Sequence, residues 1–200
     1  PMKTIEYFIA TASPWTYVGH ERLTEIAAQH GAQIVVKPMD LGRVFPVSGG
    51  LPLGKRAPQR QAYRLVDLPR WAAFRNRPLN LHPKYFPVDG NPAAHWIIAA
   101  EAGFGQAAAL RLTGAVLQGV WAEERNIADP AELAAIATGA GLDAAALAAG
   151  AARPETEATY DRYTREAIDL QVFGAPWYVV NGEPFWGQDR LELLERALAR

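Results

Sequence analysis

The chain has 200 residues, half of them hydrophobic and a fifth charged, with a formal net charge of −1. That balance reads as a soluble globular protein with one well-buried core or one domain carrying a large insertion, and it lacks the basic excess of a nucleic-acid binder. Cysteine is absent, which excludes disulfides, zinc–thiolate sites and a cysteine nucleophile. His20, His30, His82 and His95 are scattered without metal-ligand spacing, so no metal is expected. No apolar run approaches the roughly 18 residues needed to cross a bilayer, so no membrane association is expected. Nothing near the start has the basic, apolar, small-residue character of a leader; Met2 reads as the natural start and the cytoplasm as the expected compartment.

In chain order, "IEYFI" (5–9) is β-branched and aromatic and predicts a strand. Ser13 followed by Pro14 is a strong helix start, and Val18, Leu23, Ile26 and Ala27 mark the apolar face of a helix that Gly31 ends. "QIVVKPMD" (33–40) predicts a second strand, which makes a right-handed parallel βαβ unit. From Leu41 to Asp169 no convincing strand follows. Residues 57–76 read as a helix broken or kinked at Pro69, Asn91-Pro92 starts a helix ending near Gly103–Gly105, and 106–124 reads as a long helix. Asp129-Pro130 starts another, the alanine-rich stretch 131–152 reads only as helical filler, and a helix is predicted over 154–169. "PWYVV" (176–180), the turn "NGEP" (181–184) and "FW" (185–186) predict a hairpin, and "GQDRLELLERALAR" a closing helix with Leu191, Leu194 and Leu198 on one face. The order predicts a thioredoxin-like α/β sheet (1–40 plus 170–200) with a large all-helical insertion (41–169).

Ser13 alone reads as a helix N-cap. Two features favour more. The turn lies at the carboxyl end of the first strand, where open α/β sheets bind ligands. Ser13-Pro14-Trp15-Thr16 also has the length of a C-x-x-C redox turn, with hydroxyls in place of both thiols.

"SPWTY" after a strand, "FGAPWYVV", "FWGQDRLELLERAL", "DLGRV" (40–44) and "VDLPRWA" (66–72) together resemble the 2-hydroxychromene-2-carboxylate isomerases, relatives of kappa-class glutathione transferases on a DsbA-like fold. The resemblance covers nearly the whole chain. It implies that glutathione supplies the missing thiol and that the Ser13 hydroxyl steadies its thiolate. Moving a thiol from near 8.5 to about 6.5 takes roughly 2.7 kcal/mol of preference for the anion. A hydrogen bond to a charged group supplies roughly 1.5–3 kcal/mol and a helix N-terminus roughly 0.3–1 kcal/mol, which suffices without a cationic side chain.

The resemblance also implies a cis Pro176, with the backbone of Ala175 pairing with the cysteinyl part of glutathione. Trp186, Gly187, Gln188 and Asp189 open the last helix. Read plainly they are a helix entry with Asp189 in its first turn. By resemblance, their N–H groups hold the γ-glutamyl carboxylate while Asp189 pairs with its ammonium.

Between Leu41 and Val88 lie nine basic residues and one acid, Asp67. Several must form a solvated face, with Arg60, Arg64 and Arg75 the foremost; the functional reading is a positive wall that attracts an anionic aromatic substrate. By resemblance, substrate contacts fall on Arg43, Gly54, Lys55 and Tyr85, with Lys55 the preferred carboxylate partner. The chain departs from the pattern at Phe45, where well-known members have a lysine nearby, and at Gly54, which replaces an asparagine. Trp71, Phe74, Phe86, Trp96 and Trp121 read as insertion core; Trp15 and Trp177 either line a pocket or pack inside. The resemblance implies a cytoplasmic homodimer that isomerises aromatic ring-cleavage intermediates. The alternatives are a kappa-like glutathione transferase and a thiol-free DsbA-like binding module; with no thiol in the chain, a disulfide oxidoreductase is not a rival.

Overall fold

The structure is a computed structural model that describes residues 2–200; Pro1 lies outside the described residues. Four strands form one sheet: β1 (Thr4–Ile9), β2 (Gln33–Pro38), β3 (Trp177–Val180) and β4 (Glu183–Trp186), in the order β2-β1-β3-β4. β1 runs parallel to β2 and antiparallel to β3, and β3 runs antiparallel to β4. The parallel pair is joined by α1 (Pro14–Gln29), capped by Ser13 and ended at Gly31 with φ +61°, as the sequence pattern requires. Asn181 and Gly182, both at positive φ, make the two-residue turn between β3 and β4.

The alternation within β1 sets the layers. Ile5, Tyr7 and Ile9 enter the main core, which extends without interruption into the helices, whereas Phe8 points to the other face and packs with Met39, Val44, Trp177 and Val179. The intervening helices are α2 (Leu41–Ser48), α3 (Pro58–Phe74), α4 (Asn91–Phe104), α5 (Gln106–Ala122), α6 (Pro130–Gly139), α7 (Ala144–Ala151) and α8 (Pro154–Asp169), and α9 (Leu191–Leu198) closes the chain. Among the described residues, no strand lies between β2 and β3.

Three expectations are corrected. Of the break or kink expected at Pro69, the break does not occur: α3 runs from Pro58 to Phe74, with Leu68 and Ala72, on either side of the proline, both buried in the main core. The alanine-rich stretch is two helices, parted at Gly141 (φ +78°) and restarted by Asp143, whose Oδ1 accepts from the Ala146 N–H at 3.1 Å. The closing helix is preceded by a 3-10 turn, Gln188–Arg190, before Leu191, Leu194 and Leu198 bury their face. α2 is not among the predicted helices; its signals are Leu41 and Val44, three residues apart on the face that packs with Phe8, and Asp40, which caps it through the Gly42 N–H at 2.9 Å.

Candidate functional site

At the carboxyl end of β1 the chain turns on a Ser13 N–H bond to the Ala10 carbonyl, 3.1 Å. Ser13 is half-buried with extended backbone (φ −76°, ψ 121°), and its Oγ accepts from the Thr16 N–H at 3.1 Å. The first turn of α1 carries no acidic side chain of its own to offset the positive end of the helix dipole. Thr16 is fully buried and its Oγ1 has no partner. Two contacts brace the turn from the helical block. Thr11 Oγ1 donates to the Gly90 carbonyl at 2.8 Å, and Trp121 Nε1 donates to the Ala12 carbonyl at 3.3 Å. A Cβ on Gly90 would displace Thr11 Oγ1 from its bond to the Gly90 carbonyl.

β3 brings the second half of the site to the same edge of the sheet. The Ala175–Pro176 peptide is cis. Phe8 of β1 pairs with Trp177 of β3, so the cis peptide just before Trp177 lies at the same end of the sheet as Ala10, which receives the Ser13 N–H. The Gly187 N–H donates to the Pro176 carbonyl at 2.9 Å, so β4 delivers the 186–189 segment beside the cis peptide. Gln188 is 3% exposed and packs on Gly19 of α1. Its side chain is committed: Arg75 Nε donates to Oε1 at 2.9 Å and Arg75 Nη2 to the backbone carbonyl at 2.8 Å. Asp189 carries an accessible carboxylate 3.1 Å from Arg190. Trp186 is 51% exposed and lies 4.9 Å from Phe173, ring to ring, over Gly174.

The predicted substrate residues are less closely gathered. Arg43, on α2, is ion-paired with Asp161 of α8 at 2.7 Å. Gly54 and Lys55 belong to an exposed 3-10 turn (Leu53–Lys55), and no hydrogen bond or ion pair ties either to the Ser13 turn. Tyr85 is half-buried with Lys84 Nζ 5.2 Å from its ring, beside Phe86, which packs 4.8 Å from Trp121.

Two arginines read as solvated are not. Arg75 has only 5% of its side chain exposed and stacks on Trp71 and Phe74 at 5.3 and 5.5 Å. Arg64 lies over Phe86 and Trp121 at 5.7 and 5.9 Å. The signal was present: Arg64, Leu68, Ala72 and Arg75 follow helical spacing, so arginines flank the buried stripe of α3. Phe74, read as core, is 72% exposed beyond the arginine it supports, whereas Trp96, Trp121 and Trp177 are buried.

A cleft of about 340 Å³ opens elsewhere, between α1 and α5, lined by Tyr17, His20, Glu21, Arg77, Leu110 and Gly114 among others, and does not include Ser13. There the Tyr7 hydroxyl and His20 Nδ1 share a hydrogen bond at 2.9 Å, and burial pushes the imidazole down to about 4. Among the described residues no group of acidic, histidine or cysteine side chains is arranged to hold a metal ion.

Residues 4–199 match the DSBA-like thioredoxin domain family. A 2-hydroxychromene-2-carboxylate isomerase of Sphingobium xenophagum is 30% identical over 98% of each chain. A glutathione S-transferase kappa 1 of Caenorhabditis elegans is 24% identical over 95% of this chain and 88% of its own. A solved 2-hydroxychromene-2-carboxylate isomerase superposes with a TM-score of 0.82 at 27% identity, covering 98% of this chain and 95% of that one. Full-length agreement in sequence and in superposed structure leaves one conclusion: the chain belongs to the DsbA-like thioredoxin family, among the 2-hydroxychromene-2-carboxylate isomerases.

Proposed function

We propose that the protein is a glutathione-dependent cis–trans isomerase acting on intermediates of the 2-hydroxychromene-2-carboxylate and o-hydroxybenzylidenepyruvate type. The observation that carries this reading is Ser13: a hydroxyl at the N-terminus of α1, whose first turn has no acidic side chain, in a chain without cysteine. Such a site favours a thiolate brought from outside and forms no mixed disulfide with it. The other residues present fit the tripeptide. Among the described residues the Ala175 N–H and C=O enter no hydrogen bond, so the backbone beside Pro176 is available to a peptide. The start of the 188–190 turn offers N–H groups to a carboxylate, and Asp189 offers an accessible carboxylate to an ammonium. Gln188 acts through its backbone, because Arg75 holds its side chain.

When bound, glutathione supplies the nucleophile that makes a conjugated double bond rotatable and is regenerated on elimination. The chain's part is to bind, orient and keep the sulfur ionised, with Ser13 Oγ as donor. The substrate role of Arg43, Gly54, Lys55 and Tyr85, the division into a thioredoxin-like part and a helical insertion, and a cytoplasmic homodimer belong to the same proposal. Following o-hydroxybenzylidenepyruvate by absorbance with and without glutathione tests it. The expected result is turnover only when the thiol is present; turnover independent of thiol, or none, overturns it. The kappa relative favours a second reading, conjugation of electrophiles, which a chlorodinitrobenzene assay distinguishes by product.

A further inference from the structure

We infer that Arg64, with Phe86 and Trp121 beneath it, is the residue that recognises the carboxylate of a planar aromatic substrate. The inference rests on the isomerase reading for the identity of the ligand, and it moves the carboxylate contact from Lys55 to a residue the resemblance did not single out.

Arg64 is half-buried on α3, and its guanidinium lies 5.7 Å from the Phe86 ring centre and 5.9 Å from that of Trp121. The two rings pack against each other at 4.8 Å. The platform is fixed to the active end of the sheet, since Trp121 Nε1 bonds the carbonyl of Ala12, next to Ser13. Among the described residues Arg64 makes no ion pair and no hydrogen bond. Asp67, one turn further along α3, forms no ion pair with it either. Its charged neighbour is instead another cation: burial first and Arg56 second depress its proton affinity. Arg56 is itself crowded by Arg60 and spends its Nε on the Leu51 carbonyl at 2.8 Å.

Holding a guanidinium partly out of water beside a like charge, with no acid to offset it, is unfavourable in the free protein. An anion bound there removes that cost and gains more than it would in bulk water, because the effective dielectric is lower. The fork of donors matches a carboxylate in two-point geometry, and the half-buried Phe86 beside it, held in place by the fully buried Trp121, offers an aromatic body an apolar edge. Lys55 has neither property: it is exposed, and water screens it.

The test is calorimetric titration of the whole chain, without glutathione, with benzylidenepyruvate and with its neutral amide. The wild type is expected to prefer the acid. In Arg64→Met the acid should bind about ten- to a hundredfold more weakly while the amide changes little, which removes the preference. Arg64→Lys should retain part of it, and Arg60→Met, altering an exposed arginine one turn away, should keep it. Equal binding of acid and amide by the wild type, an undiminished preference in Arg64→Met, or equal weakening of both probes would overturn the assignment. If Arg64→Met fails to fold, Arg64→Lys decides: a preference reduced severalfold sustains the assignment and an unchanged one overturns it. An acid preference that depends on Arg64 in a protein with no thiol-dependent isomerisation would sink the isomerase reading and leave this site standing.

Discussion

Arg75 grips Gln188 at both ends, its Nε on the side-chain oxygen at 2.9 Å and its Nη2 on the backbone carbonyl at 2.8 Å. A residue late in α3 thus latches the 3-10 turn at the other end of the sequence, 113 positions away. Arg75→Met keeps the stem packed on Trp71 but strands the buried Gln188 oxygen. The expected loss is about 2–3 kcal/mol in urea unfolding, with Arg75→Lys intermediate. If the turn holds glutathione as proposed, the thermal upshift given by millimolar glutathione should shrink in both variants. An Arg75→Met chain as stable as the wild type would show that the latch carries no energy.

On the opposite side of Gln188 the turn rests on Gly19, in the middle of α1. Propensity alone says that Gly19→Ala should stabilise the helix by about 1 kcal/mol. The packing says otherwise: the new methyl would run into Gln188 Cβ, a carbon tied to the backbone, so the turn must move. Overpacking of this kind typically costs about 1–3 kcal/mol, and the net effect should be a lower melting temperature. A raised melting temperature would mean that the turn yields freely.

The βαβ start and the hairpin were legible because each is written locally: the β-branched and aromatic run 5–9, Ser13-Pro14, Gly31 and Asn181-Gly182 are short-range signals. What escaped is non-local. The spacing of Arg64 and Arg75 places them beside the buried stripe of α3, but the groups they meet, Phe86, Trp121 and Gln188, arrive from distant positions. Pro69 marks a break or kink by local rules, yet α3 runs past it with Leu68 and Ala72 buried. Gly19 attracts no notice in sequence because its partner is 169 residues on. The substrate side suffers most, since it is assembled from helices and loops whose mutual placement no periodicity encodes.

Ser13→Ala separates capping from chemistry. Losing the bond from the Thr16 N–H should cost about 1 kcal/mol of stability. Losing a donor to a thiolate should cost about 1.5–3 kcal/mol in the rate, or roughly ten- to a hundredfold in kcat/KM at neutral pH. The rising limb of the pH–rate profile should also move to higher pH, because the sulfur is held ionised less well. Ser13→Thr, which keeps the hydroxyl, should recover much of both. A profile unmoved in Ser13→Ala would remove the hydroxyl from the mechanism.

His20 makes stability depend on acidity away from the Ser13 turn. Burial, with Arg77 adding to it against the pull of the Leu110 backbone, lowers the imidazole from 6.5 to about 4, so the folded protein keeps it neutral and hydrogen-bonded to the Tyr7 hydroxyl. A depressed histidine is protonated more readily when unfolded. Its contribution is therefore intact above about 6.5 and is lost as pH falls towards 4. Between pH 7.5 and 5 the loss should be about 2 kcal/mol. His20→Gln, which can still hydrogen-bond with Tyr7 but does not titrate, should flatten that part of the stability profile in urea unfolding, whatever it does to stability at pH 7.5. Equal slopes for wild type and variant would place the acid sensitivity in other groups.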